Sequence, residues 1–312
     1  MKKRTKILAS VILAFFATLH AAAALAGQVV TGEDRAWAKK AVSEEKTLGA
    51  AEAKNTVAVL YFRNGTGQPA LDPLQKGIAL MLVTDLSQVP DLQVVERVKL
   101  QSLAEELGLG ASGLVDPGTA PRVGKILQAR WIVVGDIAKG SGVTLAVQET
   151  VVDVPSTGTI GQPASQGDLD QIFRIEKDLL FETIKLLKVE VTPEVRKRLE
   201  KPCSKNPAAL LALSRGVDES DRGNYAKAAD LYESALKEDP GVCLAGENLE
   251  ELFARGLVPR RKPRAAGTLE VLQGLKDATS LTNRITTKEQ VRTIVNPAGN
   301  IPSNPDINVT FP

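Results

Sequence analysis

An apolar run of seven residues, Thr56-Val57-Ala58-Val59-Leu60-Tyr61-Phe62, is followed after one residue by the turn sequence Asn64-Gly65-Thr66-Gly67. The run is short and rich in β-branched residues, and it contains almost no polar side chains. These three properties favour a strand that is buried on both faces over a helix. We therefore predict a buried strand here, and the rest of the fold is worked out from it.

The sequence on either side alternates between helical and extended patterns. Apolar residues recur at helical spacing over residues 70–88, 97–107 and 168–187, and Asp116-Pro117 is typical of the start of another helix. Extended segments are predicted at 92–95, 131–135, 143–154 and near Thr159 and Ile160. Strands that alternate with helices in this way predict an α/β fold, a layered mixed β-sheet covered by helices.

Residues 207–240 have a different pattern, which predicts two antiparallel helices joined at Gly223-Asn224-Tyr225. The pattern resembles a single tetratricopeptide (TPR) repeat, although Arg215 and Glu219 stand where that family usually has larger apolar residues. One repeat cannot cover its own apolar faces, so this small all-α hairpin must pack on a following helix, on the α/β domain or on a partner. The residues assigned to its packing are Gly216, Tyr225, Ala228, Tyr232, Ala235 and Pro240.

The first 26 residues have the organisation of a secretory signal peptide. Lys2, Lys3, Arg4 and Lys6 precede an apolar run, and Ala24-Leu25-Ala26 supplies the small residues of a cleavage site. A retained membrane anchor is the alternative. The signal-peptide prediction places the mature start at Gly27, in an exported protein.

The charge balance and the single histidine narrow the function classes. The chain has 39 Lys+Arg against 37 Asp+Glu, and four of the basic residues lie in the leader. A mature chain close to neutral argues against general nucleic-acid binding. His20, the only histidine, also lies in the leader, which removes Ser-His and Cys-His catalytic pairs and histidine metal ligands. We expect no enzyme, and neither catalytic, cofactor-binding nor metal-binding residues.

Cys203 and Cys243 are the only cysteines. In an oxidising compartment an even pair predicts a disulfide, and closing a loop of about 40 residues would stabilise the fold by roughly 4 kcal/mol. Two buried thiols are the alternative.

One motif suggests a nucleotide-binding site. Residues 108–113 match the spacing G-x-G-x-x-G, but a dinucleotide fingerprint follows a strand and opens a helix. This one follows a predicted helix, so we interpret it as a glycine-rich helix end and predict no cofactor.

The stretch from Asn55 to Leu187 resembles the curli-secretion CsgG-type family and the related N-terminal domain of TolB. That resemblance implies an α/β periplasmic module, which some members assemble as a ring under an outer-membrane pore. The residues that carry it are Val57–Phe62, Thr84–Ser87, Val94–Arg97, Leu103–Leu107 and Ala129–Ile137.

Two departures limit what the resemblance implies. Pore-forming members carry a lipidated cysteine and pairs of long amphipathic hairpins. This sequence has no cysteine near its predicted cleavage site, and Trp131–Ile160 has room only for ordinary sheet strands. The transport function is therefore not carried over whole, and no stable membrane anchor is expected.

The patterns divide the chain into five segments. These are a signal peptide (1–26), a helical or frayed lead-in (27–53), the CsgG/TolB-like α/β domain (54–191), the TPR-like helical region (192–258), and a linker with a mostly disordered tail (259–312).

The leading hypothesis is a non-enzymatic periplasmic interaction or assembly-scaffold protein of the cell envelope, whose TPR-like hairpin binds a partner. The alternative is an accessory or ring subunit of a CsgG-type outer-membrane secretion channel, and an enzyme or small-ligand receptor is a third class. The expected partners are envelope proteins or peptides and not nucleic acid, with homo-oligomer formation left open. The expected location is the periplasm, with peripheral association with the outer membrane also left open.

Overall fold

The structure, a computed structural model, describes residues 28–49, 55–109 and 119–260. The predicted leader, the helix start at Asp116-Pro117 and the tail from residue 261 lie outside the described residues. The glycine-rich motif is described only through Leu109, and this part follows a helix, as expected.

The described strands form one seven-stranded sheet. They are β1 (Thr56–Val59), β2 (Arg63–Asn64), β3 (Gln93–Val94), β4 (Trp131–Lys139), β5 (Leu145–Asp153), β6 (Gly158–Gly161) and β7 (Ala164–Gly167). The order is β3-β1-β4-β5-β6, with β2 beside β4 and β7 beside β5. β1 pairs in parallel with β3 and β4, whereas β4 and β5 form an antiparallel hairpin. The predicted α/β class with a mixed sheet is confirmed.

Nine α-helices accompany the sheet in the described ranges. They are α1 (Gly32–Ser43), α2 (Leu74–Leu86), α3 (Arg97–Glu106), α4 (Ala120–Ile126), α5 (Ile172–Leu186), α6 (Pro193–Leu199), α7 (Pro207–Asp221), α8 (Tyr225–Glu238) and α9 (Ala245–Ala254). None of them combines the length and the apolar content needed to cross a membrane.

β1 lies inside the sheet, between β3 and β4. Its Val57 is opposite Val94 on one side and Trp131 on the other. All four residues of β1 are buried, which explains why its sequence is continuously apolar instead of alternating. Tyr61 and Phe62 stay buried although the regular strand ends at Val59.

The sequence patterns did not decide the structure of two segments, the lead-in and the last strand, β7. The described lead-in contains α1, which begins with a capping box in which Thr31 and Asp34 bond reciprocally. β7 was not predicted, because Ala164–Gly167 has no apolar alternation. It is held by backbone pairing with β5, where Leu145 is opposite Gly167.

The helical region packs on α2 at Gly77. A Cβ on this residue would lie 2.5 Å from Ser214 Oγ and 3.6 Å from the Leu210 side chain, so glycine permits the close approach of α7. Leu210 also belongs to the main hydrophobic core together with sheet residues. The described residues up to Pro259 form one compact unit. The division between an α/β domain and a helical region at residues 191 and 192 stays a prediction.

Candidate interaction site

Arg97, the first residue of α3, forms a buried ion pair with Asp221, the last residue of α7. Their side chains are 2% and 3% exposed. The guanidinium donates from Nη1 to Asp221 Oδ2 at 3.0 Å and from Nη2 to Asp221 Oδ1 at 3.1 Å. A bidentate pair of this kind fixes orientation as well as distance, so it sets how the end of α7 sits on α3.

Two further side chains join this ion pair. Lys76 of α2 lies 2.7 Å from carboxylate oxygens of both Asp221 and Asp218, and the Tyr61 hydroxyl accepts from Arg97 Nη1 at 3.1 Å. Burial alone would lower the pKa of Arg97 and of Lys76, but the nearby Asp221 and Tyr61 outweigh it and raise both. Both cations therefore stay protonated, and the cluster binds helices together and does not exchange protons.

The first described residue, Gln28, is part of the same cluster. Its side-chain Oε1 accepts from Arg97 Nε at 2.8 Å, and its carbonyl accepts from Arg97 Nη2. Its backbone N–H donates to Glu251 Oε2 on α9 at 2.6 Å. Val29 and Val30, which follow, are buried. This segment thus connects α3 with α9.

Gly216 and Tyr232 lie at the crossing of α7 and α8. A Cβ on Gly216 would lie 2.4 Å from Cε1 of the Tyr232 ring. Ala228 and Ala235, two of the other residues assigned to this packing, are buried on α8. The helical hairpin is present, whereas its assignment to the TPR family stays a prediction.

Glu219 stabilises the turn between α7 and α8. It accepts from Asn224 Nδ2 and from Lys227 Nζ, each at 2.8 Å. These bonds, that of Lys227 first, lower its pKa. Tyr225 begins α8 directly after this turn and is partly buried. Glu219, one of the two residues that depart from the repeat pattern, therefore has a local role, which spacing alone does not indicate.

Cys203 and Cys243 form a disulfide in the structure, with their Cα atoms 5.0 Å apart. The Cys243 N–H also donates to the Cys203 carbonyl at 2.9 Å. The next residue, Leu244, has a φ of 63°, which is uncommon for a residue other than glycine, and it precedes α9 directly. The disulfide thus anchors the turn from which α9 starts.

A groove of about 830 Å³ lies beside this turn, between the end of α8 and α9; we call it the α8–α9 groove. Leu236, Val242 and Leu244 give it an apolar surface. Its other lining residues are Gln28, Pro240, Gly241, Gly246, Glu247, Asn248, Glu250, Glu251, Ala254 and Arg255. Of these residues, only Pro240 was predicted from the sequence to belong to a candidate site.

Asn248 lines the groove but is only 2% exposed. Neither polar atom of its carboxamide has a hydrogen bond of normal geometry among the described residues. Burial raises the pKa of Tyr232, and Asn248 and Ser220 are close enough to its hydroxyl to oppose that rise. The Asn248 carboxamide atoms are inaccessible to solvent and lie at the Tyr232 hydroxyl, so Asn248 belongs to the packing of α9 on α8.

Glu149 of β5 is a completely buried acid that the sequence analysis missed. Its Oε2 accepts from Thr183 Oγ1 of α5 at 2.6 Å, while Oε1 has no partner among the described residues. Burial raises its pKa to about 7. Its position between Val147 and Val151, which share its face of β5, was a signal that could have revealed it.

A second buried acid, Glu176, lies on α5 itself. Burial first, and then the neighbouring Asp85 carboxylate of α2, raise its pKa well above the usual range. Lys177 contacts Asp85 and lies 3.3 Å from Glu176 Oε2. Glu176 falls four residues after the apolar Ile172, so helical spacing placed it on the buried face.

Residues 38–139 match the family model for the curli production assembly/transport component CsgG. The match begins within α1 and ends with β4, and it includes all the motifs on which the resemblance was based. The CsgG part of the predicted resemblance is confirmed over these residues. The TolB part stays a prediction, and the match does not include the helical region.

One curated relative is "Putative adenylate cyclase 3" of Rhizobium meliloti (strain 1021), 24% identical over 225 residues. The alignment covers 68% of this chain, but the chain spans only 36% of that protein's length.

Solved structures with local similarity include two bacterial proteins. The LpoB C-terminal domain from Salmonella enterica aligns with 16% identity over 42% of this chain and 98% of that domain, with a TM-score of 0.29. Lipoprotein GNA1162 from Neisseria meningitidis aligns with 13% identity over 36% of this chain and 80% of that protein, with a TM-score of 0.31. Scores this low support no inference about function.

Proposed function

We propose that this protein is a non-enzymatic interaction or assembly scaffold in the periplasm of the cell envelope. Its α/β module provides a rigid base, and its helical region binds an envelope protein or peptide. No catalytic residue, cofactor or metal takes part in this role.

Three features support the compartment. The CsgG family model that matches residues 38–139 describes a component of curli production, assembly and transport, and an envelope location follows if this chain shares that setting. The leader has the pattern of a secretory signal peptide. A disulfide between Cys203 and Cys243 is stable in an oxidising compartment and rare in the cytosol.

The observation that carries the interaction role is the α8–α9 groove. Its size falls within the range of ordinary ligand pockets, and it combines apolar side chains with a few polar groups. Gln28, Glu251 and the disulfide hold its walls to the rest of the molecule. A rigid groove loses less conformational entropy on binding than a mobile one.

Release from the native host by osmotic shock, followed by sizing without detergent, tests this function. We expect soluble release in a complex larger than the monomer. Leu236→Asp, in the groove, should reduce that complex to the monomer, whereas Val143→Asp should not. Val143 is a suitable control because it is 87% exposed and lies outside the groove lining. Complex formation that is insensitive to Leu236→Asp would contradict a role for the groove.

The CsgG match also favours a second candidate, an accessory or ring subunit of a CsgG-type secretion channel. The same experiment separates the two. Retention in the outer-membrane fraction as a large multimer, through a high-salt wash, would support the channel subunit and contradict the soluble scaffold.

A further inference from the structure

The segment that follows the predicted leader is fixed to the helical region. Val29 and Val30 are buried, and Val29 belongs to the hydrophobic cluster formed by α7, α8 and α9. Gln28 accepts hydrogen bonds from Arg97 through its side chain and its carbonyl, and its backbone N–H donates to Glu251 Oε2 at 2.6 Å. The first described residue is therefore held at a wall of the α8–α9 groove, whose lining includes it.

Covalent geometry limits how far the nitrogen of Gly27 can lie from this wall. One residue spans at most about 3.6 Å, so the nitrogen atoms of Gly27 and Gln28 are no farther apart than that. The Gly27 nitrogen is therefore within about 6 Å of Glu251 Oε2. A carboxylate at this distance favours the charged form of an amine.

The charged groups beside this wall leave an excess of negative charge. They are Lys76, Arg97, Asp218 and Asp221 of the buried cluster, and Glu247, Glu250, Glu251 and Arg255 of α9. The two cations of the cluster are balanced by its two aspartates, and Arg255 is paired with Glu251 at 2.7 Å. Glu247 lies one helical turn before Glu251, and no described residue forms an ion pair with it. A cation at this wall is therefore attracted to α9.

Removal of the predicted leader would create such a cation. Signal peptidase adds water across the Ala26–Gly27 bond, with the hydroxyl group going to the Ala26 carbonyl carbon and the hydrogen to the Gly27 nitrogen. The Ala26 carboxylate leaves with the leader, and the Gly27 amine takes up the proton that this acid releases. In the uncleaved chain the same nitrogen is a neutral amide.

We infer that the Gly27 ammonium of the mature chain pairs with Glu247 and Glu251, so that leader removal completes one wall of the α8–α9 groove. This inference rests on the export that the proposed function includes, and it adds a maturation step to that function. A chain that keeps its leader has the same groove residues but lacks the cation. The groove therefore reaches its full stability only after processing.

The pKa of the Gly27 amine tests the inference on the mature chain, which begins at this residue. A protease that cuts a fusion protein directly before Gly27 supplies the chain, and 13C-labelled glycine makes the residue visible by NMR. Gly27→Ala identifies its signal. We expect the pKa to lie at least about 0.5 above the ordinary range of about 7.7–8.0, because the carboxylates favour the ammonium. A pKa below that limit would overturn the inference.

Two variants show which carboxylate is responsible. Glu247→Gln, at an exposed position in the groove, should bring the pKa of Gly27 at least about 0.3 closer to the ordinary range. Glu182→Gln, at an exposed position on α5 outside the groove lining, should leave it unchanged. Equal effects of the two variants would refute the pairing with α9.

A chain that begins at Leu25 provides an independent measurement. It moves the ammonium two residues along the chain and keeps every groove residue. Glu247→Gln should lower the melting temperature of the mature chain by about 1–3 °C, as expected for an exposed ion pair. The loss should be smaller in the extended chain, in which this pair is missing. The same loss in both chains would contradict the ion pair.

N-terminal sequencing of the protein released by osmotic shock checks the cleavage itself. Gly27 is the expected first residue, and a different one would overturn the inference. The proposed function fails separately. A complex that depends on Leu236, together with an ordinary pKa of Gly27, would leave the scaffold standing and refute the ion pair, whereas a raised pKa without any complex would do the reverse.

Discussion

The Arg97 guanidinium bonds to Asp221, Tyr61 and Gln28 while almost fully buried. Removal of one charged partner would leave the other charge buried without compensation, which typically costs about 3–5 kcal/mol. We expect Asp221→Ala to lower the free energy of unfolding by about this amount, measured by chemical denaturation. The double variant Arg97→Met with Asp221→Leu should lose much less, because no unpaired charge remains.

The exposed pair Arg174 and Asp178 is the matched control for that experiment. It is also an arginine–carboxylate contact, at 2.6 Å, but both side chains are 47% exposed. Asp178→Ala should change stability by less than about 1 kcal/mol. A similar loss from Asp178→Ala and Asp221→Ala would contradict the importance given to burial.

Glu149 predicts that the protein becomes less stable as pH rises from about 4.5 to about 7. Its pKa is about 7 in the folded state against an ordinary value of 4.5, so the folded state holds a proton that the unfolded state has already lost. This stabilisation is fully present below the unfolded pKa and disappears as pH rises through the folded one. For this group the difference amounts to about 3 kcal/mol.

Glu149→Gln should therefore flatten the dependence of stability on pH between about 5 and 8, and it should stabilise the protein at the alkaline end. Melting temperatures across this range provide the measurement. Glu182→Gln, at a largely exposed position on the same helix that carries Thr183, should keep the wild-type profile. A Glu149→Gln profile parallel to the wild type would show that the buried acid is not responsible.

At the scale of elements, the α7–α8 crossing depends on the absence of a side chain at Gly216. Gly216→Ala would place a Cβ against the Tyr232 ring, and overpacking of this kind costs about 1–3 kcal/mol. Gly246→Ala on α9 is the matched control, since no atom lies within 4 Å of its added Cβ. Denaturation of both variants checks the prediction, which would be wrong if Gly216→Ala were as stable as Gly246→Ala.

The disulfide supports a further prediction about α9. The residues it joins are 40 apart in sequence, and removing such a closed loop costs about 4 kcal/mol in the chain-entropy model. We expect the Cys203→Ser, Cys243→Ser variant to lose stability by up to this amount. It should also bind groove partners more weakly, because the turn at Leu244 loses its anchor. Unchanged stability and binding would refute this role for the bridge.

Most elements of the fold followed from periodicity. The buried strand at Thr56–Val59 is continuously apolar, and α5 repeats apolar residues at helical spacing. Each of these patterns fits only one type of element. β7 was not predicted, because its side chains do not alternate between apolar and polar and it is held by backbone pairing with β5. The small residues at Gly216, Ala228 and Ala235 were found by spacing alone, because close helix crossings require them.

The candidate site could not be predicted in the same way. Arg97 and Asp221 are 124 residues apart, and no local pattern connects them. Asn248 lies on α9, and only the packing of that helix shows that its carboxamide is buried. The burial of Glu149 and Glu176 could have been predicted from the sequence, because each occupies a position on the apolar face of its strand or helix.

The part that matches CsgG and the helical region share one compact unit, which ends at Pro259. The part that matches CsgG, residues 38–139, contains β1, α2, α3 and β4, and it provides the base on which α7 packs. The α8–α9 groove lies outside that match, so its function must be tested in this protein directly.

Site-specific photo-crosslinking in the native host is the most direct test of the central claim, that the α8–α9 groove holds an envelope partner. A photoreactive residue replaces Leu236 in one strain and the exposed Val143 in another. We predict a discrete adduct with an identifiable envelope protein or peptide from Leu236, absent from Val143. No adduct at Leu236, or the same adducts from both positions, would contradict it.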